Sequence, residues 1–289
     1  MGLLLSVIDQ NFPPKAKWGV DNIPDLSSKV IIVYLACRDQ QKADDAIRRL
    51  KEETGRKALY LSLDLSDLES VKRAAMQFQE QEQALHILFN NAGVMSPPIS
   101  ALTKQGYDLQ FGTNVLGHFY FTKLLLPCLK TAAQSSPDHV ARVINTSSQT
   151  HVIGSLNFNA FTDTPTRRKM SQNALYAQSK FGNVVFSNEL AKRYGLEGIM
   201  SVALHPGSLT TDLGRHLPPL MRAIIHSLCH TPPEGALTQL WGGTAPEAAT
   251  LNGKYLIPWA RIGLPDKKTS DEAQGAKLWE WCEEQVKDI

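Results

Sequence analysis

Lys29-Val30-Ile31-Ile32-Val33-Tyr34-Leu35-Ala36-Cys37-Arg38-Asp39 is the stretch whose reading decides the fold of this chain. It is an apolar, β-branched run closed by a charged pair, which reads as a strand. Its first half has the character of the opening strand of a parallel α/β unit, and its second half that of the end of the following strand. No turn, glycine or helix comes between. Parallel neighbours need a crossover of about a dozen or more residues, so the run is one strand.

Downstream, strands and helices alternate. A helix with apolar Ala43, Ile47 and Leu50 follows, then a strand over Ala58 to Leu63 that ends at Asp64. Ser66 is expected to cap a helix over Leu68 to Phe78. Leu85 to Phe89 reads as a short strand buried on both faces. A long helical stretch covers Tyr107 to Leu129, with a strand over Val140 to Ser148 beyond it. A helix over Ala174 to Tyr194, a strand over Ile199 to Leu204 and a last strand over Lys254 to Ile257 complete the pattern. Such alternation means a mostly parallel sheet covered on both faces, in one domain. Residues 1–27 read as an irregular leader ahead of a domain over residues 28–289.

Of the 289 residues 43% are hydrophobic and 20% charged, the composition of a globular protein with a sizeable core. The net charge of +2, with no cluster of Lys and Arg, gives no case for nucleic acid. Cys37, Cys128, Cys229 and Cys282 are scattered; with no secretory signal they point to a reducing compartment, and the expected location is cytoplasmic. His226, Cys229 and His230 would share a helix face but lack a fourth ligand or carboxylate, so no metal is expected. Met1-Gly2-Leu3-Leu4-Leu5-Ser6 fits an N-myristoylation pattern and equally an apolar arm, which leaves peripheral membrane contact open. No segment reaches the roughly 18 apolar residues of a bilayer span.

Ligands of an open α/β sheet lie outside the carboxyl ends of its strands. Those ends carry Asn90-Asn91-Ala92-Gly93, Ser147-Ser148 and His205-Pro206-Gly207. Tyr176 and Lys180, four residues apart on one helix, share a face. A cation held there is expected to pull the phenol pKa below about 10.

With these residues in place the chain resembles the short-chain dehydrogenase/reductase family from about Ile23 onward, most closely its retinol-dehydrogenase-like branch and fungal relatives. The resemblance rests on Asn90 to Gly93, Thr113-Asn114-Val115-Leu116-Gly117-His118, Val143 to Ser148, Tyr176 to Lys180, and Pro206-Gly207 through Thr211. It implies a Rossmann-like doubly wound sheet and hydride exchange between a hydrophobic alcohol or carbonyl and a nicotinamide cofactor. It also implies that Tyr176 is the general acid/base and that Ser148 stabilises the substrate oxygen. Lys180 would lower the Tyr176 pKa and bind the nicotinamide ribose. Asn114 would hold a helix bend and a proton-relay water. Asp64 is matched to the adenine contact, Asn91 to the cofactor, and Leu209 and Thr211 to its carboxamide and phosphate side. Arg38 stands where it would suit the 2′-phosphate of NADP, or else pairs on the surface with Asp39.

One family element is missing. A glycine-rich phosphate loop should follow Val33, and about two dozen residues, most of one βαβ unit, are absent. The first βαβ unit is therefore expected to be truncated, with the fused strand in the first-strand slot of a continuous sheet of about six strands. Arg38 would then sit nearer the diphosphate than the ribose. Leu217, Leu220, Met221, Ile224, Ile225 and Leu228 recur at helical spacing inside a substrate lid expected over about residues 208–245. Two functions stay open: an NADP-dependent oxidoreductase of a hydrophobic alcohol or carbonyl, and a non-catalytic binding protein that has lost its cofactor. Homo-oligomerisation is also left open.

Overall fold

A computed structural model describes residues 9–24, 34–210 and 229–289. Two sheets make up the α/β core. In the smaller sheet, β1 (Tyr34–Cys37) pairs in parallel with β2 (Leu59–Ser62), and Cys37 lies opposite Ser62. Helix α1 (Gln40–Thr54) crosses between them. It ends at Gly55, whose φ of 72° is left-handed backbone that glycine adopts without strain. The larger sheet has the order β3 (Ile87–Asn90), β4 (Ala141–Thr146), β5 (Ile199–Leu204), β6 (Tyr255–Ile257) and β7 (Arg261–Gly263). All pairs in it are parallel except β6–β7. The α/β class, the parallel sheet and the single domain agree with the alternation in the sequence. Strand β7, paired antiparallel to β6, is not among the strands read from the sequence.

The expected continuous sheet is not found. Among the described residues no strand pairing joins β1 to β3. The ring of Tyr34 meets Phe78 edge-on at 5.1 Å and its hydroxyl donates to Glu82 at 2.8 Å. Phe78 belongs to α2 (Leu68–Gln81) and Glu82 is its C-cap, so β1 is anchored on the end of that helix. Strand β3 is not buried on both faces either, since Phe89 is 38% exposed. The cap of α2 is Asp67, which accepts from the Glu69 amide, while Ser66 donates to Asp64.

The long helical stretch runs from Leu109 through a π segment (Gly112–Gly117) into α3 (His118–Ser135). At Gly117 a Cβ would stand 2.5 Å from the Leu65 carbonyl, so only glycine lets the helix lie this close to the loop after β2. Helix α4 (Gln172–Tyr194) is buried along most of its length and packs on β5. Helices α5 (Pro232–Thr244) and α6 (Glu272–Val286) complete the layers. Part of the leader is ordered onto the body: Trp18 is buried in a cluster with Ile144, Val202 and Trp241. Thr211, the apolar stripe from Leu217 to Leu228, His226 and Gly2 lie outside the described residues. Among the described residues no helix is long and apolar enough to cross a membrane.

The loop that leads into the π segment is tied down by a buried ion pair. Arg167, 1% exposed, donates through Nε to Asp108 at 2.9 Å and through its other nitrogens to Asp163 and to the Ala101 carbonyl. Asp108 in turn accepts from the Gln110 and Phe111 amides. Removing one partner of a buried pair leaves the other charge without compensation. Arg167→Ala is expected to lower unfolding stability by about 3–5 kcal/mol, read as the shift of a urea midpoint at unchanged slope. A loss below about 1 kcal/mol, the level of a surface pair, would show that water already reaches Asp108.

Candidate active site

The carboxyl ends of β3 and β4 and the first turns of α4 converge. The two serines after β4 differ in what they bond. Ser147 is buried and donates to the Lys180 carbonyl at 2.6 Å, which fixes α4 to the strand end. Ser148 is partly exposed, accepts from the Thr150 amide at 3.2 Å and lies near enough to the Tyr176 phenol to pull its pKa downward. Lys180, buried on the same helix face as Tyr176, donates from Nζ to the Thr146 carbonyl at 3.0 Å. Asn114 lies in the π segment, fully buried. Its side chain accepts from the Val94 amide and donates to the Val94 carbonyl and to Ser179 Oγ. It thereby straps the loop after β3 against α4. The Asn114 carbonyl accepts from Nδ1 of buried His118 at 3.0 Å.

The electrostatics differ from the sequence expectation. Burial pushes Tyr176 up to about 12, against which the Ser148 hydrogen bond pulls down. Burial pushes Lys180 down to about 8. The ammonium does not hold the phenol below its usual range, because Nζ stands 5.7 Å from the ring centroid and is directed at the Thr146 carbonyl. Desolvation disfavours both charged forms, and at this spacing it wins.

The remaining expected residues spread over both sheets. Arg38 is exposed at the end of β1, and Asp64 follows β2 with its carboxylate engaged by Ser66. Asp39, considered as a surface partner for Arg38, instead caps α1 and pairs with Lys42 at 4.0 Å. Asn91, at the end of β3, accepts from Thr146 Oγ1 and Gln239. Leu209 packs on Gly235 of α5, where a Cβ would come within 2.2 Å of its side chain.

Two further residues border the site. Asn11, from the stretch read as a leader, donates to Gln149 at 2.8 Å, accepts from Ser208 at 2.9 Å and takes a bond from His230 at 3.2 Å. It links the segment beside Ser148 to the loop after β5 and to the segment entering α5. No periodicity marks it in the sequence. His151, three residues after Ser148, is equally silent there.

The residues fit a nicotinamide cofactor on one side only. Lys180 is a buried ammonium with three donors, suited to the paired hydroxyls of a ribose. Gly93 lies so close that a Cβ there would stand 3.5 Å from its Nζ. On the diphosphate side the sequence has no glycine between Gly19 and Gly55. The amino end of α1, where a phosphate would seek backbone amides and a positive dipole, already holds the Asp39 carboxylate. Among the described residues that half does not fit a diphosphate.

The sequence pattern of the short chain dehydrogenase family matches residues 25–220. A short-chain dehydrogenase/reductase of Armillaria gallica is 54% identical over an aligned span of 310 positions, covering all of both chains. Human retinol dehydrogenase 12 is 36% identical, over 90% of this chain and 80% of its own length. Among solved structures, NADPH-bound carbonyl reductase from chicken fatty liver superposes with a TM-score of 0.58 at 23% identity, over 89% of this chain and 94% of that one.

Proposed function

This chain belongs to the short-chain dehydrogenase family of oxidoreductases, and on that premise we propose that its site interconverts a hydrophobic alcohol and its carbonyl with NADP(H). The observation that carries the reading is the pairing of Tyr176, whose phenol pKa Ser148 pulls downward, with buried Lys180 on the same helix face. In carbonyl reduction Tyr176 gives its proton to the substrate oxygen, and Ser148 donates a hydrogen bond to the same oxygen as charge develops. Lys180, a buried ammonium beside Gly93, would hold a ribose. Asn114 keeps the loop after β3 against α4. A bound nicotinamide would supply the hydride. Arg38, exposed at the end of β1, supports NADP over NAD through its attraction for a 2′-phosphate. The name of the human relative, a retinol dehydrogenase, supports a lipophilic alcohol.

A second reading, a binding protein of the same fold without turnover, is favoured by the diphosphate side. The aligned span of 310 positions against 289 residues also fits the loss of a segment. Backbone amides on a diphosphate are charge-assisted hydrogen bonds of about 1.5–3 kcal/mol each, and two of them correspond to about a hundredfold in affinity. NADPH fluorescence titration of the unmodified chain is expected to give a dissociation constant at least about a hundredfold weaker than that of a chain with a glycine-rich βα segment inserted after Val33. Micromolar binding by the unmodified chain, with turnover, would exclude the binding-protein reading. Failure of the inserted chain to bind would exclude the enzymatic one.

A further inference from the structure

Behind Ser148 lies a buried histidine that the proposed chemistry does not use. His151 is 1% exposed and tilts against the ring of Tyr255 at 4.8 Å between centroids. Its Nδ1 stands 2.8 Å from the Ser148 carbonyl oxygen and 3.3 Å from the Tyr255 hydroxyl. Its Nε2 accepts from the Asp266 amide at 3.1 Å. The backbone amide of His151 also donates to the Ser148 carbonyl, at 3.0 Å, so that one oxygen is held twice by one residue.

These contacts fix the tautomer. An amide N–H can only donate, so Nε2 must present its lone pair to Asp266. The ring proton is then on Nδ1, where it meets the Ser148 carbonyl. The opposite tautomer would set N–H against N–H at Asp266 and lone pair against lone pair at Ser148. An imidazolium would keep the first of these conflicts.

We propose that His151, as the neutral Nδ1–H tautomer, is a positioning residue for Ser148. It clamps the serine backbone to the loop between β7 and α6 at Asp266, and so aims the Ser148 hydroxyl at Tyr176. His151 does not reach the reacting atoms; it acts through Ser148. Its value to turnover rests on the reading of Ser148 as the residue that binds the substrate oxygen, but the clamp itself does not. The contact to Asp266 also ties Ser148 to residues more than a hundred positions away in sequence, so a change in that loop reaches the serine through one side chain.

The clamp is tested in the unmodified chain by ¹⁵N NMR of labelled histidine, with the His151 signal identified by its absence in His151→Asn. A protonated Nδ1 and an unprotonated Nε2 are expected at neutral pH. An Nε2–H tautomer overturns the proposal. A second measurement is amide hydrogen exchange at Thr150, whose N–H bonds the Ser148 hydroxyl and reports its placement. Asparagine sets a donor near the Nδ1 position but lacks the ring, whereas phenylalanine keeps the ring against Tyr255 without nitrogens. His151→Phe and His151→Ala are expected to speed exchange at Thr150 by about tenfold, the loss of one hydrogen bond's net contribution, and His151→Asn to keep it near the parent rate. Protection by phenylalanine and not by asparagine would mean that the ring only fills space, and equal rates in all three variants would mean that the bond positions nothing. Both results overturn the proposal, and neither depends on whether the chain turns over a substrate.

Discussion

Lowering the pH from 7 to 5 is expected to remove about 4 kcal/mol of folding stability or more, a large part of an ordinary stability of about 5–15 kcal/mol. Buried histidines cause it. Burial drives His118 down to about 4, with the Lys180 charge acting in the same direction. Burial drives His205 down to about 3, helped by His151, and lowers His151 as well. In the unfolded chain each takes up a proton below its ordinary pKa of about 6.5, while in the fold each stays neutral below that. The stability they contribute is complete above about 6.5 and is lost as the pH falls toward the folded values. At pH 5 the loss is about 2 kcal/mol each for His118 and His205, and His151 adds to it in the same direction. The lowered carboxylates, such as Asp67 and Asp138, act only at still lower pH. Asp108, raised by burial, offsets part of the loss. Urea midpoints followed by circular dichroism between pH 7 and 5 measure the effect. A flat profile would mean that water reaches these rings.

Tyr176→Phe, in a chain carrying a glycine-rich segment after Val33, is expected to cut carbonyl reduction by about a thousandfold, the range of a lost general acid. Phenylalanine keeps the ring and its packing, so NADPH affinity should change little. With the phenol pushed up to about 12, Tyr176 is protonated throughout the neutral range and ready to act as an acid. Reduction by the parent should therefore be insensitive to ionisation of Tyr176 between about pH 6 and 9. Oxidation, which needs the phenolate, should rise across the same interval. Single-turnover rates with saturating NADPH and a lipophilic ketone check the first statement, and rates with saturating NADP+ and the corresponding alcohol check the second. Reduction by the Tyr176→Phe variant within about tenfold of the parent rate, well short of the general-acid range, would remove Tyr176 from the reaction.

The chain order of strands and helices was legible in the sequence because hydrophobic period and strand length are local properties. The four-residue spacing of Tyr176 and Lys180 and the serines at the end of β4 were legible for the same reason: helix and strand geometry turn spacing into direction. The missing glycines after Val33 are a fact of the sequence alone, and no packing can restore backbone amides that are not encoded.

Tertiary structure decided the rest. The run Lys29 to Cys37 reads as a strand but does not name its partner; for Tyr34 to Cys37 that partner is β2, with the Tyr34 hydroxyl bonded some 48 positions on to Glu82. Spacing predicted a phenol with a lowered pKa, whereas the direction depends on how much water the whole fold excludes, and burial raised it. Asp67 rather than Ser66 caps α2, a choice between adjacent good caps that is made by the backbone turn at Asp64. Asn11 and His151 carry no pattern of their own, because their partners lie far off in the chain. Local spacing encodes direction, while desolvation and long-range pairing exist only after the chain has closed on itself.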